Sequence, residues 1–422
     1  MKIYIIILFF ISTSLCKAKK GKKNTSNSSE SLSDDSGFGP RNSKSYDDAV
    51  TFNTKYELKM TGTLRQLYAL ETAFQNLSHN MICSPVSALL PLGKLALGAE
   101  SDSLAELYKM IGVSNENQLS SSLKKLIHDL KYIPGVNLTL VSRLYVSNKA
   151  QLKSKFIKAS RKIFKSDVQK ISFAHPKSAA NEINGWVSKE TNGKIPVLLN
   201  PEQISPASSL IIVNAIYFNG AWMEPFRKVE VGDFFSSTGQ KKVQLMSRQG
   251  NYRYVNSDIL NAQIVEIPYQ GFATSLMVVL PQAKNGLPLL LNQMKLAPNL
   301  LNDSLNKIKN TMVQLTIPKF QITTTLDLKD LYEKIGMKIV TSQKSGLKKI
   351  VKHEEVLISS AVQKAVIEVH ERGTEAAAAS ATNIFEGAGF VELPVLFQAN
   401  HPFLFFLQAN REQLFAGIYS EP

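Results

Sequence analysis

An α+β fold with mainly antiparallel sheets is expected for most of this 422-residue chain, on three observations. Helix-periodic segments fill its first half and strand-like runs its second. Little regular alternation links the two, and such segregation favours antiparallel sheets over βαβ units. No Pro/Ser/Gly-rich linker and no internal repeat interrupts residues 49–422, so one large mixed domain over 50–422 is expected where a length prior alone would divide the chain. Only Cys16 and Cys83 occur. A chain without a disulfide leans on a large core, and ~370 residues can bury one.

The elements follow in order. Met1 and Lys2 precede an apolar run, Ile3–Leu15. This reads as a secretory signal peptide over 1–18, with small residues near its cleavage point. The run falls short of the ~20 residues that cross a bilayer, as does every later segment. A secreted, extracellular product with no membrane partner is therefore expected. Residues 19–49 hold Lys19, Lys20, Lys22, Lys23, many serines, Asp34 and Asp35; they cannot bury enough apolar surface to order themselves and read as a disordered tail. Leu58–Asn76 then places Leu64, Leu67, Tyr68, Leu70 and Phe74 at helical spacing. Ile82–Leu97 follows, with Ser84 and Pro85 suited to a helix cap and first turn. Ser103–Ile111, Asn117–Leu130, Lys149–Phe164 and Asn181–Glu190 are also helical in pattern, and Val136–Val146 alternates as a strand. Strands are expected at Ser209–Phe218, Gln240–Val255, Ala262–Tyr269, Ser275–Leu280, Val313–Pro318, Val362–Val369 and Phe403–Leu407, interrupted by one helix at Leu326–Ile335.

No catalytic constellation is present. Among the six histidines, His353 begins a two-histidine zinc pattern, but Leu357 stands where the second ligand belongs. There is no Gly-x-Ser-x-Gly elbow, no Gly-rich phosphate loop with a lysine and no paired-cysteine metal spacing. The chain is expected not to be an enzyme, to hold no metal and to require no cofactor. Cys83, beside Met81, Ile82 and Pro85, reads as an apolar filler rather than a nucleophile. Sequons at Asn24, Asn27, Asn76, Asn137 and Asn302 mark a glycoprotein.

The most informative stretch is 371–382. After Glu371, Arg372 and Gly373 come Thr374, Glu375, Ala376, Ala377, Ala378, Ala379, Ser380, Ala381 and Thr382. Alanine and glutamate favour a helix, yet a helix this small-sided has almost no apolar face to bury. In a pleated strand, Thr374, Ala376, Ala378, Ser380 and Thr382 share one face and Glu375 points the other way. Such a segment can enter a packed sheet as an extra strand without overfilling it.

With that loop in view, ordered motifs over 50–422 resemble the serpin family. They are Asn80–Ala88 (NMICSPVSA), Asn184–Val187 (NGWV), Thr191–Ile195 (TNGKI) and Asn214–Trp222 (NAIYFNGAW). Glu266–Tyr269, Leu280–Pro281, Pro318–Phe320, His401–Phe403 and the hinge Gly373–Ala376 complete the set. The resemblance implies three mainly antiparallel sheets with about nine helices and an exposed reactive loop over about 371–400. It implies a monomeric suicide inhibitor that offers the loop to a protease, is attacked to a covalent acyl-enzyme, and inserts the cut loop into its largest sheet. Unbranched small residues at Ala376–Ala379 fit the inhibitory branch; a non-inhibitory carrier or storage protein is the alternative. By resemblance, Glu371 pairs with Lys319 near Trp222 at the top of that sheet, the family's breach. Ser84, Ser87 and Asn214 match its shutter, where strands part. The family commonly has a histidine just before Lys364, whereas this chain has Gln363. Glutamine keeps both donor and acceptor capacity but carries no proton switch.

The family's spacing of seventeen residues from Glu371 lands on Gly387, making Gly387–Ala388 the expected reactive bond. A small residue there suits an elastase-like pocket, while shifted registers offer Phe385 (before Glu386) or Phe390 (before Val391) to a chymotrypsin-like one. Cleavage after Glu386 would instead seat Phe385 in the main pocket of a papain-like cysteine protease. No Arg or Lys lies between Arg372 and Arg411, which disfavours trypsin-like targets.

The formal charge is +15; setting aside Lys2 and the tail 17–48, with seven basic and five acidic residues, leaves +12 on the body. Lys153, Lys158, Arg161, Lys162 and Lys165, with Lys124, Lys125 and Lys131 on a nearby helical segment, read either as a site for a heparin-like sulfated polysaccharide activator or as solvated helix faces. A nucleic-acid partner is not expected.

Overall fold

The computed structural model describes residues 69–131, 133–164, 168–372, 393–409 and 412–422. The segments 1–18 and 19–49, Asn24, Asn27, Lys165, the hinge from Gly373 to Ala379 and every candidate reactive bond from Phe385 to Val391 lie outside the described residues.

Helix α1 is described over 69–74. There follow β1 (Met81–Cys83), α2 (Pro85–Gly98), α3 (Ser101–Ile111), α4 (Glu116–Lys131), β2 (Val136–Ser147), α5 (Ser154–Phe164), β3 (Gln169–Ile171), α6 (Pro176–Glu190), β4 (Leu210–Gly220), β5 (Lys228–Ser236), β6 (Gly239–Ser257), β7 (Ala262–Pro268) and β8 (Thr274–Pro281). The chain continues through α7 (Leu287–Leu296), α8 (Leu300–Leu305), β9 (Lys309–Pro318), β10 (Phe320–Asp327), α9 (Leu328–Lys334), β11 (Ile358–Val369), β12 (Val395–Gln398), β13 (Phe403–Ala409) and β14 (Glu412–Tyr419).

The α+β class is as expected, and several boundaries move for identifiable reasons. The helix expected from Ile82 starts after Ser84. Met81–Cys83 pairs with β14 instead, and the Ser84 hydroxyl accepts the Ser87 N–H at 3.2 Å to cap α2. The helix expected from Lys149 starts at Ser154, because Leu152 bridges Val351 and Lys153 N–H donates to Ile350 O at 2.9 Å. Phe320–Asp327 is a strand paired along its length with β11, and Asp327 then caps α9 by accepting from Lys329 and Asp330 N–H at 2.8 and 3.2 Å.

Five strands form one sheet in the order β10-β11-β4-β2-β3. Nine form a second, β1-β14-β13-β8-β7-β6-β9-β12, with β5 also on β6. Three sheets were expected; among the described residues the strands make two hydrogen-bonded networks. The reason is the 19-residue β6, which pairs β5 near its start, β9 through its middle and β7 near its end.

The central strand β4 is buried on both faces, which explains why it is apolar apart from Asn214, Asn219 and the closing glycine. The sheet's inner face (Leu210, Ile212, Ile216 and Phe218 on β4) joins the main core with α2. Its outer face (Val213, Ala215, Tyr217, Val362, Val366) forms a separate cluster under α6 and residues 195–204.

One charged group lies in this interior. Lys94 of α2 is 2% exposed; its Nζ donates to Ser142 O on β2 and sits 5.1 Å from the centre of the Phe164 ring on α5. Burial, with the Arg143 charge behind it, pulls its pKa from 10.5 down to about 7. Between those values the unfolded chain binds a proton that the folded one has released, so stability rises with pH across this window and is lowest below about 7. Lys94→Met is expected to flatten that rise and to stabilise the protein at neutral pH. Urea midpoints recorded from pH 6 to 10 check it; an unchanged slope contradicts it.

Candidate functional site

The distinctive feature of the five-stranded sheet is the seam between β4 and β11. These strands run parallel, in register from Ile358↔Leu210 to Ile367↔Phe218, with an irregularity between Ile358 and Ser360. Their outer neighbours, β2 on β4 and β10 on β11, are antiparallel. A strand entering the seam from the end of β11 would run antiparallel to both walls. It would replace one slanted parallel ladder by two antiparallel ones, the more stable pairing per residue.

Beneath the middle of the seam, Gln363 of β11 and Asn214 of β4 stand directly opposite each other, both fully buried. Both reach the capped start of α2. Gln363 Nε2 donates to Ser87 Oγ at 2.8 Å and to Ser84 O at 3.1 Å, while its Oε1 accepts from Ser84 N–H at 3.0 Å. Ser87 Oγ donates to Asn214 Oδ1 at 3.0 Å, and Asn214 Nδ2 donates to Ser87 O. Ser84 Oγ donates to Leu414 O of β14 at 2.6 Å. The four residues thus form one network that ties both walls of the seam to a single helix terminus. Every hydrogen bond in it is shielded from water, where a broken one costs most.

At the upper end the chain leaves β11 beside Trp222. The indole Nε1 donates to His370 O at 2.7 Å, its ring stacks on Tyr269 at 4.2 Å, and Phe226 meets it edge-on at 5.7 Å. Phe226 N–H donates to Glu371 O at 2.9 Å, and Lys319 Nζ lies 2.9 Å from Glu371 Oε2. Its own backbone N–H and the Lys319 ammonium hold the Glu371 carboxyl below the ordinary glutamate range. The pair is half-exposed and contributes little to stability; its effect is to fix where the chain departs.

Over the outer face, Lys364 Nζ of β11 donates to Val197 O at 2.6 Å, and Lys194 Nζ lies 3.5 Å from Glu368. Asn219 of β4 donates to Glu368 of β11 at 3.3 Å, directly across the seam. These ties, like the roles of Phe226 and Tyr269, escaped sequence reasoning. Nothing local marks contacts between residues about 150 positions apart.

The remaining candidates are dispersed. Cys83 is buried and its thiol is pushed up to about 12, which leaves it inert. Asn137 and Asn302 are exposed, whereas Asn76 is half-buried and its Nδ2 donates to Thr72 O at 2.8 Å. Lys124, Lys125 and Lys131 are exposed on α4, and Lys158, Arg161 and Lys162 on α5. Lys153 stands apart, its Nζ donating to Lys348 O at 2.8 Å. Among the described residues no group of His, Cys, Asp and Glu is placed to hold a metal, and no helix is long and apolar enough to cross a membrane.

Comparison with known proteins adds a family. The model described as serpin (serine protease inhibitor) matches residues 66–422. Antichymotrypsin-2 of Bombyx mori is 38% identical over 352 residues, covering 83% of this chain and 94% of that protein. Antitrypsin of the same organism is 37% identical over 353 residues, with 83% and 90% covered. The solved structure of Serpin48 from Tenebrio molitor superposes with a TM-score of 0.77 at 25% identity, covering 86% of this chain and 97% of that one.

Proposed function

This chain belongs to the serpin family, and from that premise we propose that it is a secreted suicide inhibitor of an elastase- or chymotrypsin-like serine endopeptidase. The observation that carries this reading is the β4–β11 seam. β11 is 12 residues long, and a return strand of equal length begun at Thr374 ends at Phe385, just short of the expected bond Gly387–Ala388. A loop cut there is long enough to fill the seam from top to bottom while still esterified to the protease. Small side chains at Ala376–Ala379 suit a slot whose walls are packed on both faces.

Specificity comes from the loop. The names of the relatives, antichymotrypsin and antitrypsin, favour a serine protease target. The lack of any basic residue between Arg372 and Arg411 argues against the trypsin-like class. Gly387 favours elastase-like enzymes, and Phe385 or Phe390 chymotrypsin-like ones. A papain-like protease cutting after Glu386 is the second choice.

Incubation with a protease panel tests the reading. The expected result is an adduct that survives SDS, with release of a C-terminal peptide whose mass places its first residue at Ala388. A first residue at Glu386, Gly387 or Val391 would keep the inhibitor but move the bond. Loop cleavage by every protease without an adduct would make the protein a non-inhibitory member of the family.

A further inference from the structure

At one end of the nine-stranded sheet, where β5 and β14 finish and β13 begins, a cavity of about 360 Å³ opens against the first turn of α7. A tight turn shapes its mouth. Gly286 N–H donates to Ala283 O at 2.9 Å, and a Cβ on Gly286 would stand 2.7 Å from Pro281 Cβ, so the close approach there needs a glycine. The turn carries Lys284 back over β5, where its Nζ lies 3.2 Å from the centre of the Phe235 ring. Leu77, Leu287, Pro288 and Pro402 complete the apolar walls with Phe235.

The hydroxyls of the lining are committed elsewhere. Ser236 Oγ donates to Gly239 O at 2.9 Å, Ser237 Oγ to Glu421 Oε1 at 3.1 Å and Ser420 Oγ to His79 O at 3.0 Å. The Glu421 carboxylate is matched in turn by Lys241 Nζ, 2.6 Å away. That leaves two polar side chains at the mouth, Lys284 and Asn285, both exposed. Among the described residues no carboxylate pairs with Lys284 and no hydrogen bond engages the Asn285 amide. A sugar or a nucleotide needs many free donors and acceptors around it, and this cavity has them only at its rim. Walls made of one phenyl and two proline rings suit a flat, apolar body, and the ammonium suits a single negative charge. The volume is at the lower end of the range for small-ligand pockets. At the packing density of a protein interior it holds a body of two or three rings.

We propose that this cavity binds a flat aromatic anion, its rings held among Phe235, Pro288 and Pro402 and its carboxylate or sulfonate met by Lys284 and Asn285. The ammonium already sits over the face of Phe235, so the charge and the aromatic wall are in place together before a ligand arrives. The site is built on the nine-stranded sheet, away from the β4–β11 seam, and does not depend on the inhibitor reading.

Fluorescence titration of the full chain with anilinonaphthalene sulfonate, beside the uncharged phenylnaphthylamine that lacks only the sulfonate, tests the proposal. The parent should show saturable binding of both. Lys284→Gln should weaken the anion about fivefold or more, as the loss of a charge-assisted contact does, and change the neutral compound no more than about twofold. Lys284→Arg should return the anion to within about threefold of the parent. Phe235→Ala, which removes a wall and no formal charge, should weaken both compounds alike. Added NaCl should weaken the anion alone. Lys284 is exposed, so unchanged melting temperatures certify its two variants as folded. No saturable binding by the parent, an anion affinity untouched by Lys284→Gln, or an equal loss of both compounds in that variant would each overturn the proposal.

Discussion

Ala378→Asp is expected to convert the protein from a trap into a substrate. In the inserted strand Ala378 shares a face with Thr374, Ala376, Ser380 and Thr382, and the slot it enters is walled by the buried strands β4 and β11. Dragging an unpaired carboxylate into that slot costs several kcal/mol. Each ~1.4 kcal/mol added to the insertion barrier shifts the race between insertion and deacylation tenfold. The ratio of cleaved inhibitor to SDS-stable adduct should therefore rise by about 100-fold or more, while the rate of loop cleavage stays near that of the parent. Ala378→Ser, small and uncharged, should leave the ratio within a few-fold. An Asp variant that trapped as efficiently as the parent would mean that residue 378 never enters the sheet.

Gln363→Leu is expected to produce the largest loss of stability among single changes in the seam. It removes three hydrogen bonds at once and leaves the Ser84 N–H, the Ser84 carbonyl and the Ser87 hydroxyl without their Gln363 partner in a site closed to water. Orphaned buried groups cost ~1–3 kcal/mol each, partly relieved where a second partner persists; a total of about 3–5 kcal/mol is anticipated. Because Ser87 also holds Asn214 of β4, the damage loosens both walls. Thermal unfolding should fall by roughly 4–6 °C. The variant should also lose inhibitory activity on standing faster than the parent, through insertion of the uncut loop. Differential scanning calorimetry beside a time course of activity at 37 °C measures both. A melting temperature within a degree of the parent's would show that the network does not hold the seam closed.

What the sequence discloses and what it hides follow from the range of the interactions concerned. The segregation of helices and strands, the Ser84 cap and the small-sided hinge are local patterns and are legible in the chain. So is the apolar run of β4. Short, half-exposed or edge strands such as β3, β5 and β12 carry too few alternating residues to stand out. β10 is masked by the Asp327 cap, which draws the eye to the helix after it. The apolar run Leu287–Leu296 forms α7 although no clear helical stripe marks it.

The candidate site divides in the same way. Its residues, Ser84, Ser87, Asn214, Trp222, Lys319, Gln363 and Glu371, were recognisable through family motifs, and the resemblance also implied the Glu371–Lys319 pair and the polar cluster. Their assembly depends on the pairing of β4 with β11, some 150 residues apart, and no local pattern encodes that pairing.

The comparison that bears most directly on the account is the melting temperature of the protein before and after a single cut in the 385–391 segment by a protease that it does not trap. If the freed end moves between β4 and β11, the nicked molecule should unfold at a much higher temperature than the intact one. A nicked form that melts with the intact protein, or below it, would show that the seam stays shut and that the chain does not work by strand capture.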